Sequence, residues 1–369
     1  MTSARGVRRR RTIDYPRGRR ARVSDGVLQP LSASSDTGRP PLPITRAVDV
    51  AYSHTMTNST IRSDTKNLEF ERAAERMKTL MVDGRAFSYQ DAGSGPPVIL
   101  AHCSGGSHRI WAPLTTALRD RYRVLAPDLL GYGRSEPWPP HARLHPWSDL
   151  GALIALAGAA DEPVHLVGHS YGGTVALEAA RVLGPRVRSL TVIEPVAFHL
   201  LRLTGRLREW QELTTVGHRM TAALREQRDT AAAYHYIRYW VGRMRWWSLT
   251  PRARREVVRT VAKVGAEFEL VSRLSRSVGD YRSINVPTRL IAGARTTKPA
   301  RAIVEELAYI LPHAHVRVLP RAGHMSPQTH PREIAALVAD HIDFIEASPH
   351  PDFESAAPAP AAPPRRSIA

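Results

Sequence analysis

One five-residue segment, Gly168-His169-Ser170-Tyr171-Gly172, has the residue types and spacing G-x-S-x-G. This spacing is typical of a serine at a sharp turn between a strand and a helix, where the hydroxyl stands clear of the backbone. The two glycines are needed because so tight a turn leaves no room for a Cβ against the neighbouring chain. The pattern therefore predicts nucleophilic chemistry at Ser170.

A serine hydroxyl is a weak nucleophile unless a base accepts its proton, and the base needs a group that holds its tautomer. His324 is the candidate base, in the loop Arg321-Ala-Gly-His324 that follows a predicted strand at 316–319. In strand–turn–helix enzymes with this serine spacing, the histidine comes last along the chain. The order of Ser170 and His324 agrees with that rule.

Acyl transfer also requires backbone N–H groups that stabilise the developing oxyanion. One is expected from Tyr171, the residue after the nucleophile, and one from the loop that follows a strand at 98–101. That loop reads His102-Cys-Ser-Gly-Gly-Ser107, and its glycines allow the amides to turn inward. We predict Ser104 as the second donor, with Cys103 as the alternative. Cys103 is expected to be a small packed residue and not a nucleophile.

The elements around these residues alternate between strand and helix, which predicts an α/β fold with a mostly parallel sheet and helices on both faces. The apolar runs contain few polar residues, as expected for strands that are buried on both sides. The predicted strands are 85–90, 98–101, 122–127, 163–167, 187–193, 288–292 and 316–319. The predicted helices are 111–118, 149–160, 171–183, 298–311 and 332–345.

The alternation is interrupted once, and the two ends differ in composition from the rest. Residues 76–197 and 286–347 form the predicted core, and residues 198–285 read as several helices without strands, which we call the lid. Residues 1–75, rich in Arg, Ser and Pro, are predicted to be a disordered basic tail. Residues 348–369 are predicted to be a disordered Pro/Ala-rich tail.

The net charge of +18 is concentrated outside the predicted core. Residues 1–80 carry 16 Lys and Arg against 8 Asp and Glu, and residues 201–285 carry 17 against 8. The rest of the chain is therefore nearly neutral. No recognisable nucleic-acid-binding motif accompanies the charge, so a solvated tail is favoured over specific nucleic-acid binding. Deleting residues 1–75 and comparing retention on DNA would test the alternative.

With these segments in place, the chain resembles the α/β-hydrolase superfamily over roughly residues 80–346. The resemblance implies that the lid is a helical cap over an active site, and it favours the branch of esterases and carbon–carbon bond hydrolases. We call the turn at residues 168–172 the elbow. Dehalogenases and epoxide hydrolases of this superfamily carry Asp at the elbow position of Ser170, so Ser170 argues against both. The segments that carry the resemblance are the His102 loop, Ala126-Pro-Asp-Leu-Leu-Gly-Tyr-Gly-Arg-Ser135, the serine elbow, Ala322-Gly-His324 and the insertion after the 187–193 strand.

Members of the family use a catalytic triad of a nucleophile, a histidine and an acid that orients the histidine. This chain departs from the family pattern at the position of the acid. In the family this acid usually follows the strand that corresponds to 288–292, but the stretch 292–298 here contains no carboxylate. Some members take the acid from the end of the preceding strand, where this chain has Glu194. We therefore predict Glu194 as the acid. A Ser170–His324 dyad without an acid is the alternative.

The lid is rich in aromatic residues, of which Tyr236, Tyr239 and Trp240 share one helical face. They are predicted, together with His102 and Cys103, to line a substrate pocket above Ser170. Packing of the lid on the core is an equally good explanation for these aromatic side chains.

The resulting hypothesis is a serine hydrolase that cleaves an ester or similar acyl bond of a small apolar or aromatic substrate. Hydrolysis of a carbon–carbon bond in a vinylogous diketone and non-catalytic binding of a small molecule are the alternatives. No cofactor, metal or specific nucleic-acid partner is expected, and the oligomeric state is open. No membrane span is expected, since no apolar run reaches about 18 residues. The single cysteine makes a cytoplasmic location the default expectation.

Overall fold

The computed structural model describes residues 75–139 and 147–348, together with the backbone of three short strands near the N-terminus. The chain divides into two compact units, Met1–Ala74 and Glu75–Ala369. In the first unit the strands pair antiparallel in the order β1-β2-β3. Their bounds are Thr12–Tyr15 (β1), Arg19–Ser24 (β2) and Val27–Pro30 (β3).

The sequence did not predict these three strands, which lie within the segment assigned to a disordered tail. The remainder of that tail, up to residue 74, lies outside the described residues. The predicted Pro/Ala-rich tail lies outside them from residue 349 onward.

The second unit contains an eight-stranded sheet with the order β11-β10-β9-β8-β6-β7-β5-β4. Strands β6 to β11 pair in parallel, while β4 and β5 form an antiparallel hairpin that joins the sheet through β7. The strands are Glu75–Val82 (β4), Arg85–Ala92 (β5), Pro97–Ala101 (β6), Arg123–Pro127 (β7), Val164–His169 (β8), Val187–Ile193 (β9), Thr288–Gly293 (β10) and Ala314–Leu319 (β11).

The sheet reverses its winding direction at β6, which lies between β7 and β8. In open α/β sheets the crevice at such a point, at the carboxyl ends of the strands, is where ligands bind. The serine elbow follows β8, and the His102–Ser107 loop follows β6. Both predicted parts of the site therefore lie at this crevice.

Alternate residues of the central strands face two separate cores, because successive side chains of a strand point to opposite faces. On β6, Ile99 belongs to one core, whereas Val98 and Leu100 belong to the other. The first core is covered by α2, α3 and α10, and the second by α1 and α12. These helices are Ala112–Leu118 (α1), Trp147–Gly158 (α2), Tyr171–Leu183 (α3), Lys298–Ile310 (α10) and Pro331–Ala347 (α12).

The segment that we call the lid contains six helices between β9 and β10, with no strand between them among the described residues. The longest helix, α8, begins at an N-cap threonine, Thr250, whose hydroxyl accepts a hydrogen bond from the backbone N–H of Ala253. No helix among the described residues is both long enough and apolar enough to cross a membrane. The lid helices are His199–Leu203 (α4), Leu207–Arg225 (α5), Asp229–Trp240 (α6), Arg243–Ser248 (α7), Pro251–Arg273 (α8) and Val278–Arg282 (α9), and a short helix, Ser326–Thr329 (α11), follows β11.

Candidate active site

Ser170 lies between β8 and α3 with φ 55° and ψ −117°, a backbone conformation that non-glycine residues rarely adopt. The neighbouring glycines make the turn possible. A Cβ on Gly168 would lie 2.4 Å from the carbonyl oxygen of Gly172, and one on Gly172 would lie 2.3 Å from that of Ala101. The elbow is thus pressed against its own helix and against the end of β6.

His324 lies in the loop after β11, and its imidazole reaches the serine. The Nε2 atom is 2.9 Å from Ser170 Oγ. The backbone of the loop is held from the elbow itself, because His169 Nε2 donates a hydrogen bond of 2.8 Å to the carbonyl oxygen of His324. Residue 169, the variable position of the elbow motif, therefore positions the loop that carries the base.

Glu194 directly follows β9, and its carboxylate lies on the side of the His324 ring that faces away from Ser170. Oε2 is 2.7 Å from His324 Nδ1, and Oε1 accepts a hydrogen bond of 2.6 Å from the backbone N–H of Gly293. The Thr296 hydroxyl also donates to Oε2. With Nδ1 donating to this carboxylate, Nε2 is left free to accept the proton of Ser170.

The pKa of Glu194 reflects two opposed effects. Complete burial would by itself raise the pKa, but the hydrogen bonds from His324, Thr296 and Gly293 outweigh it and hold the pKa below its usual value. The carboxylate is therefore ionised at neutral pH, as the partner of a histidine that acquires charge must be.

The loop after β10, which lacks the acid expected from the family pattern, has a different part in the site. Its Gly293 amide and Thr296 hydroxyl bind the carboxylate that β9 supplies. Sequence reasoning missed both contacts. The absence of a carboxylate from residues 292–298 was the one available signal that this loop has another task.

The predicted oxyanion residues Tyr171 and Ser104 both border a small cavity that also contains Ser170. The loop that carries Ser104 is fixed by the fully buried His102. Its Nε2 accepts a hydrogen bond of 2.9 Å from the backbone N–H of Leu129, and its Nδ1 lies 2.8 Å from the carbonyl oxygen of Cys103. Burial lowers the pKa of His102 to about 4, so this ring is neutral.

Three residues predicted for the substrate pocket lie elsewhere. His102 and Cys103 begin the loop, and both are buried and do not border the cavity. The His102 ring is engaged by backbone groups. Burial raises the pKa of the Cys103 thiol to about 12, which agrees with a packed residue and not a nucleophile. Tyr239 does not border the cavity, and its hydroxyl donates a hydrogen bond of 2.9 Å to Glu212 of the lid.

The other two predicted aromatic residues do reach the site. The ring centroid of Trp240 is 4.1 Å from that of His324, and the Tyr236 hydroxyl donates a hydrogen bond of 3.2 Å to the carbonyl oxygen of Ser104. The cavity against Ser170 is only about 20 Å³, room for about one water molecule. It is bordered by Ser104, Ser170, Tyr171, Val196, Phe198, Tyr236, Trp240, Val264, Glu267, Phe268 and Val271.

A much larger open cleft, of about 1260 Å³, lies on the other side of the same loop, where Gly105 and Gly106 border it. Its opposite wall is the first part of α8. We call it the arginine cleft because six arginines line it, Arg109, Arg134, Arg252, Arg254, Arg255 and Arg259. The arginine cleft and the cavity at Ser170 are separate, because no residue borders both.

Comparison with known proteins decides the family. The model of the "Alpha/beta hydrolase family" matches residues 98–337, more than half of the chain. This chain belongs to the alpha/beta hydrolase family. The matched region begins at β6 and extends into α12, so it includes the elbow, Glu194, the lid and His324.

Individual relatives are more distant. The chain is 39% identical over 104 residues to a pimeloyl-[acyl-carrier protein] methyl ester esterase of Methylococcus capsulatus, but this match covers 28% of the chain and 39% of that esterase. It is 26% identical over 279 residues to haloalkane dehalogenase 2 of Mycobacterium tuberculosis, covering 69% of the chain and 90% of that enzyme. The chain thus spans about two fifths of the esterase and most of the dehalogenase.

Solved structures share the fold. A hydrolase from Pseudomonas aeruginosa has a TM-score of 0.60 at 22% identity, covering 72% of this chain and 98% of that one. An enol-lactonase from Burkholderia xenovorans has a TM-score of 0.58 at 19% identity, covering 72% of this chain and all of its own. At these identities the likeness establishes the α/β-hydrolase architecture alone.

Proposed function

We propose that this hydrolase is a serine hydrolase that cleaves an ester or similar acyl bond of a small substrate through an acyl-enzyme. The observation that carries the proposal is the hydrogen-bonded line from Glu194 through His324 to Ser170, with both contacts under 3 Å. The esterase relative agrees with this chemistry. The dehalogenase relative has lower identity, and Ser170 occupies the elbow position at which dehalogenases carry Asp.

In the proposed reaction, Ser170 Oγ attacks the acyl carbon while His324 Nε2 accepts its proton. Glu194 stabilises the resulting imidazolium, and the amides of Tyr171 and Ser104 stabilise the oxyanion. Collapse expels the alcohol, which takes the proton from His324. Water then attacks the acyl-enzyme with His324 again as the base, and the carboxylic acid leaves with Ser170 regenerated.

The cavity against Ser170 is too small for an acyl chain as it stands. Four aromatic side chains form most of its apolar wall, and all come from the lid segment: Phe198, Tyr236, Trp240 and Phe268. Entry of a substrate therefore requires these lid side chains to move outward. The apolar wall suits a small acyl group with carbon-rich surroundings.

A fluorophosphonate probe tests the proposal directly, because it forms a covalent adduct with an activated serine. The probe should label the peptide that contains Ser170, and Ser170→Ala should abolish both labelling and turnover of p-nitrophenyl butyrate. Folded protein without a Ser170 adduct would favour the non-catalytic alternative. Turnover of a vinylogous diketone in preference to every ester in a panel would instead favour carbon–carbon bond hydrolysis.

A further inference from the structure

One side of the serine cavity is formed by an acidic residue that the proposed reaction does not use. Glu267 lies on α8, only 2% of its side chain is exposed, and it borders the same cavity as Ser170 and Ser104. Every other lid residue that borders this cavity is apolar or aromatic. A carboxyl group in such surroundings has a high cost unless it is paired or neutral.

The nearest cation is already engaged by another carboxylate. Lys263 Nζ lies 3.0 Å from Asp149 Oδ2 and 3.1 Å from Glu267 Oε1. Asp149 also accepts hydrogen bonds from the Leu130 backbone N–H, at 2.8 Å, and from the Tyr171 hydroxyl, at 2.9 Å. The buried cluster of Lys263, Asp149 and Glu267 therefore has one ammonium group for two carboxyl groups, and Asp149 is the better stabilised anion.

Glu267 is thus the carboxyl group of this cluster whose protonated form is favoured by burial among apolar side chains. Apart from the ion pair of Oε1 with Lys263, neither of its oxygens has a hydrogen bond of good geometry among the described residues. Burial raises its pKa, although Lys263 and the Ser104 side chain lie close enough to oppose the effect. A neutral carboxylic acid has one O–H donor, and the neighbouring protein groups that could accept from it are the neutral hydroxyls of Ser104 and Tyr132.

We propose that Glu267 recognises a neutral oxygen acceptor, a carbonyl or hydroxyl oxygen, on the acyl part of the substrate. The inference rests on the proposed function for the position of the acyl group but concerns a different atom of the substrate. Once the lid side chains have moved outward, an acyl group held at Ser170 occupies the enlarged cavity that Glu267 borders. An oxygen a few bonds from the ester carbonyl then comes within reach of the acid. A plain hydrocarbon chain leaves the donor unpaired, which disfavours that substrate.

The test compares two esters of equal length, p-nitrophenyl 4-oxopentanoate and p-nitrophenyl pentanoate. Wild-type enzyme should prefer the oxo ester by about 10- to 100-fold in kcat/KM, the range expected when one buried donor is satisfied. Glu267→Gln keeps a neutral donor of the same size and should retain most of the preference. Glu267→Met should abolish it, mainly through the oxo ester.

Glu269→Gln is the matched control, because Glu269 lies two residues further along α8, pairs with Arg273 and is largely exposed. It should leave the preference unchanged. Equal values of kcat/KM for the two esters in wild type, or an unchanged preference in Glu267→Met, would overturn the proposal. A preference for p-nitrophenyl 4-(trimethylammonio)butanoate that Glu267→Gln abolishes would also overturn it, since that result requires an ionised carboxylate that binds a cation.

Binding without turnover separates this inference from the proposed function. In Ser170→Ala, calorimetry should show tighter binding of 4-oxopentanamide than of pentanamide, and the additional Glu267→Met change should remove the difference. If the binding difference is found but the wild-type protein is not labelled at Ser170 by fluorophosphonate, the role of Glu267 in recognition would be supported and the hydrolase proposal contradicted. Equal binding of the two amides would overturn the role of Glu267, whatever the activity.

Discussion

At the scale of single residues, the distinctive group is the Glu194 carboxylate, which is fully buried and yet ionised. Three donors surround it, from the base, from the β10 backbone and from the Thr296 hydroxyl. Glu194 itself has φ 43°, so the chain turns sharply at the end of β9 to bring the carboxylate under His324. The orientation of the acid is therefore fixed by backbone and side chain together.

Replacement of this acid should have a large effect on catalysis. Glu194→Gln keeps the size of the side chain but removes the charge and changes the hydrogen bond to His324 Nδ1. We expect kcat for p-nitrophenyl butyrate to fall by about 10⁴, as when a triad carboxylate is replaced by its amide elsewhere.

Glu306→Gln provides a control for the loss of a buried glutamate, since Glu306 pairs with Arg206 away from the site. It should leave kcat within about twofold. A fall of less than tenfold for Glu194→Gln would indicate that Ser170 and His324 act as a dyad.

At the scale of elements, the elbow depends on two close backbone approaches. The N-terminus of α3 lies so near the end of β6 that only a glycine fits at residue 172. This contact places the Tyr171 amide and the loop that carries Ser104 on the same side of Ser170. The strand, the helix and the loop that carries Ser104 therefore meet at one point of contact.

Gly172→Ala should disrupt that contact. Its Cβ would lie 2.3 Å from two carbonyl oxygens, those of Ala101 and His102, and backbone atoms cannot move aside cheaply. We expect loss of activity and a fall in stability of about 2 kcal/mol or more, measured by urea unfolding. Gly158→Ala, at the end of α2 with nothing within 4 Å, should be neutral or slightly stabilising. Full activity in Gly172→Ala would show that the elbow is not so constrained.

The sequence predicted the elements that repeat a simple pattern and missed those that depend on distant partners. The strands from β5 to β11 and helix α3 follow from apolar runs and turn residues. The β4 strand was not predicted, although the Asp83-Gly84 turn that joins it to β5 has the positive φ values typical of tight hairpins. Some residues of β4 are exposed and polar, so its sequence does not show a continuous apolar run that would predict a strand.

The same difference holds within the site. The proximity of Ser170, His324 and Glu194 could be predicted because Ser170 and Glu194 directly follow strands and His324 lies in the loop after the last strand. The carboxyl ends of parallel strands meet at one edge of the sheet. The pairing of Asp149 with Lys263 could not be predicted, since the two residues are 114 positions apart. Nothing local to Glu267 distinguishes it from an exposed helix residue until α8 is placed over the core.

At the scale of the whole molecule, the arginine cleft combines four arginines of the lid with two of the core. Of its six arginines, Arg259 is paired with Glu256 at 2.6 Å, and Arg254 lies over the rings of Trp246 and Trp247. Arg252 and Arg255 are exposed on the same helix. Such a positively charged patch attracts anionic molecules from solution, and dissolved salt screens this attraction.

We therefore expect kcat/KM for an anionic ester, mono-p-nitrophenyl succinate, to fall by about three- to tenfold between 20 and 500 mM NaCl. The value for neutral p-nitrophenyl butyrate should change little. Replacing Arg252 and Arg255 by Gln should weaken the salt dependence, whereas Arg273→Gln, at the far end of α8, should not. An identical salt dependence for the two esters would exclude steering by this cleft.

Buried neutral histidines should make the stability of the fold sensitive to acid. Burial lowers the pKa of His341 to about 3, while in the unfolded chain the pKa is about 6.5. Between these values the unfolded state binds more protons, so the free energy of unfolding decreases as the pH falls below 6.5. Each such histidine contributes about 1.4 kcal/mol per pH unit.

His341→Asn retains a partner for the Thr191 hydroxyl, which lies 2.9 Å from His341 Nδ1. Urea unfolding at pH 7 and pH 5 should show a smaller loss of stability in this variant than in wild type, by about 2 kcal/mol. His313→Asn, at an exposed residue, should behave as wild type. The same loss in His341→Asn as in wild type would place the acid sensitivity elsewhere.

The placement of the acid on β9 also divides the machinery unequally along the chain. Ser170, Glu194 and both expected oxyanion amides precede the lid, and only His324 follows it. A lid exchanged for that of another family member would thus leave the nucleophile, its acid and the oxyanion donors within one uninterrupted stretch. Glu267 and the aromatic residues, which we propose contact the substrate, would be replaced together with the lid. Recombination within residues 198–285 would therefore change substrate selectivity while Ser170, Glu194 and His324 stay in place.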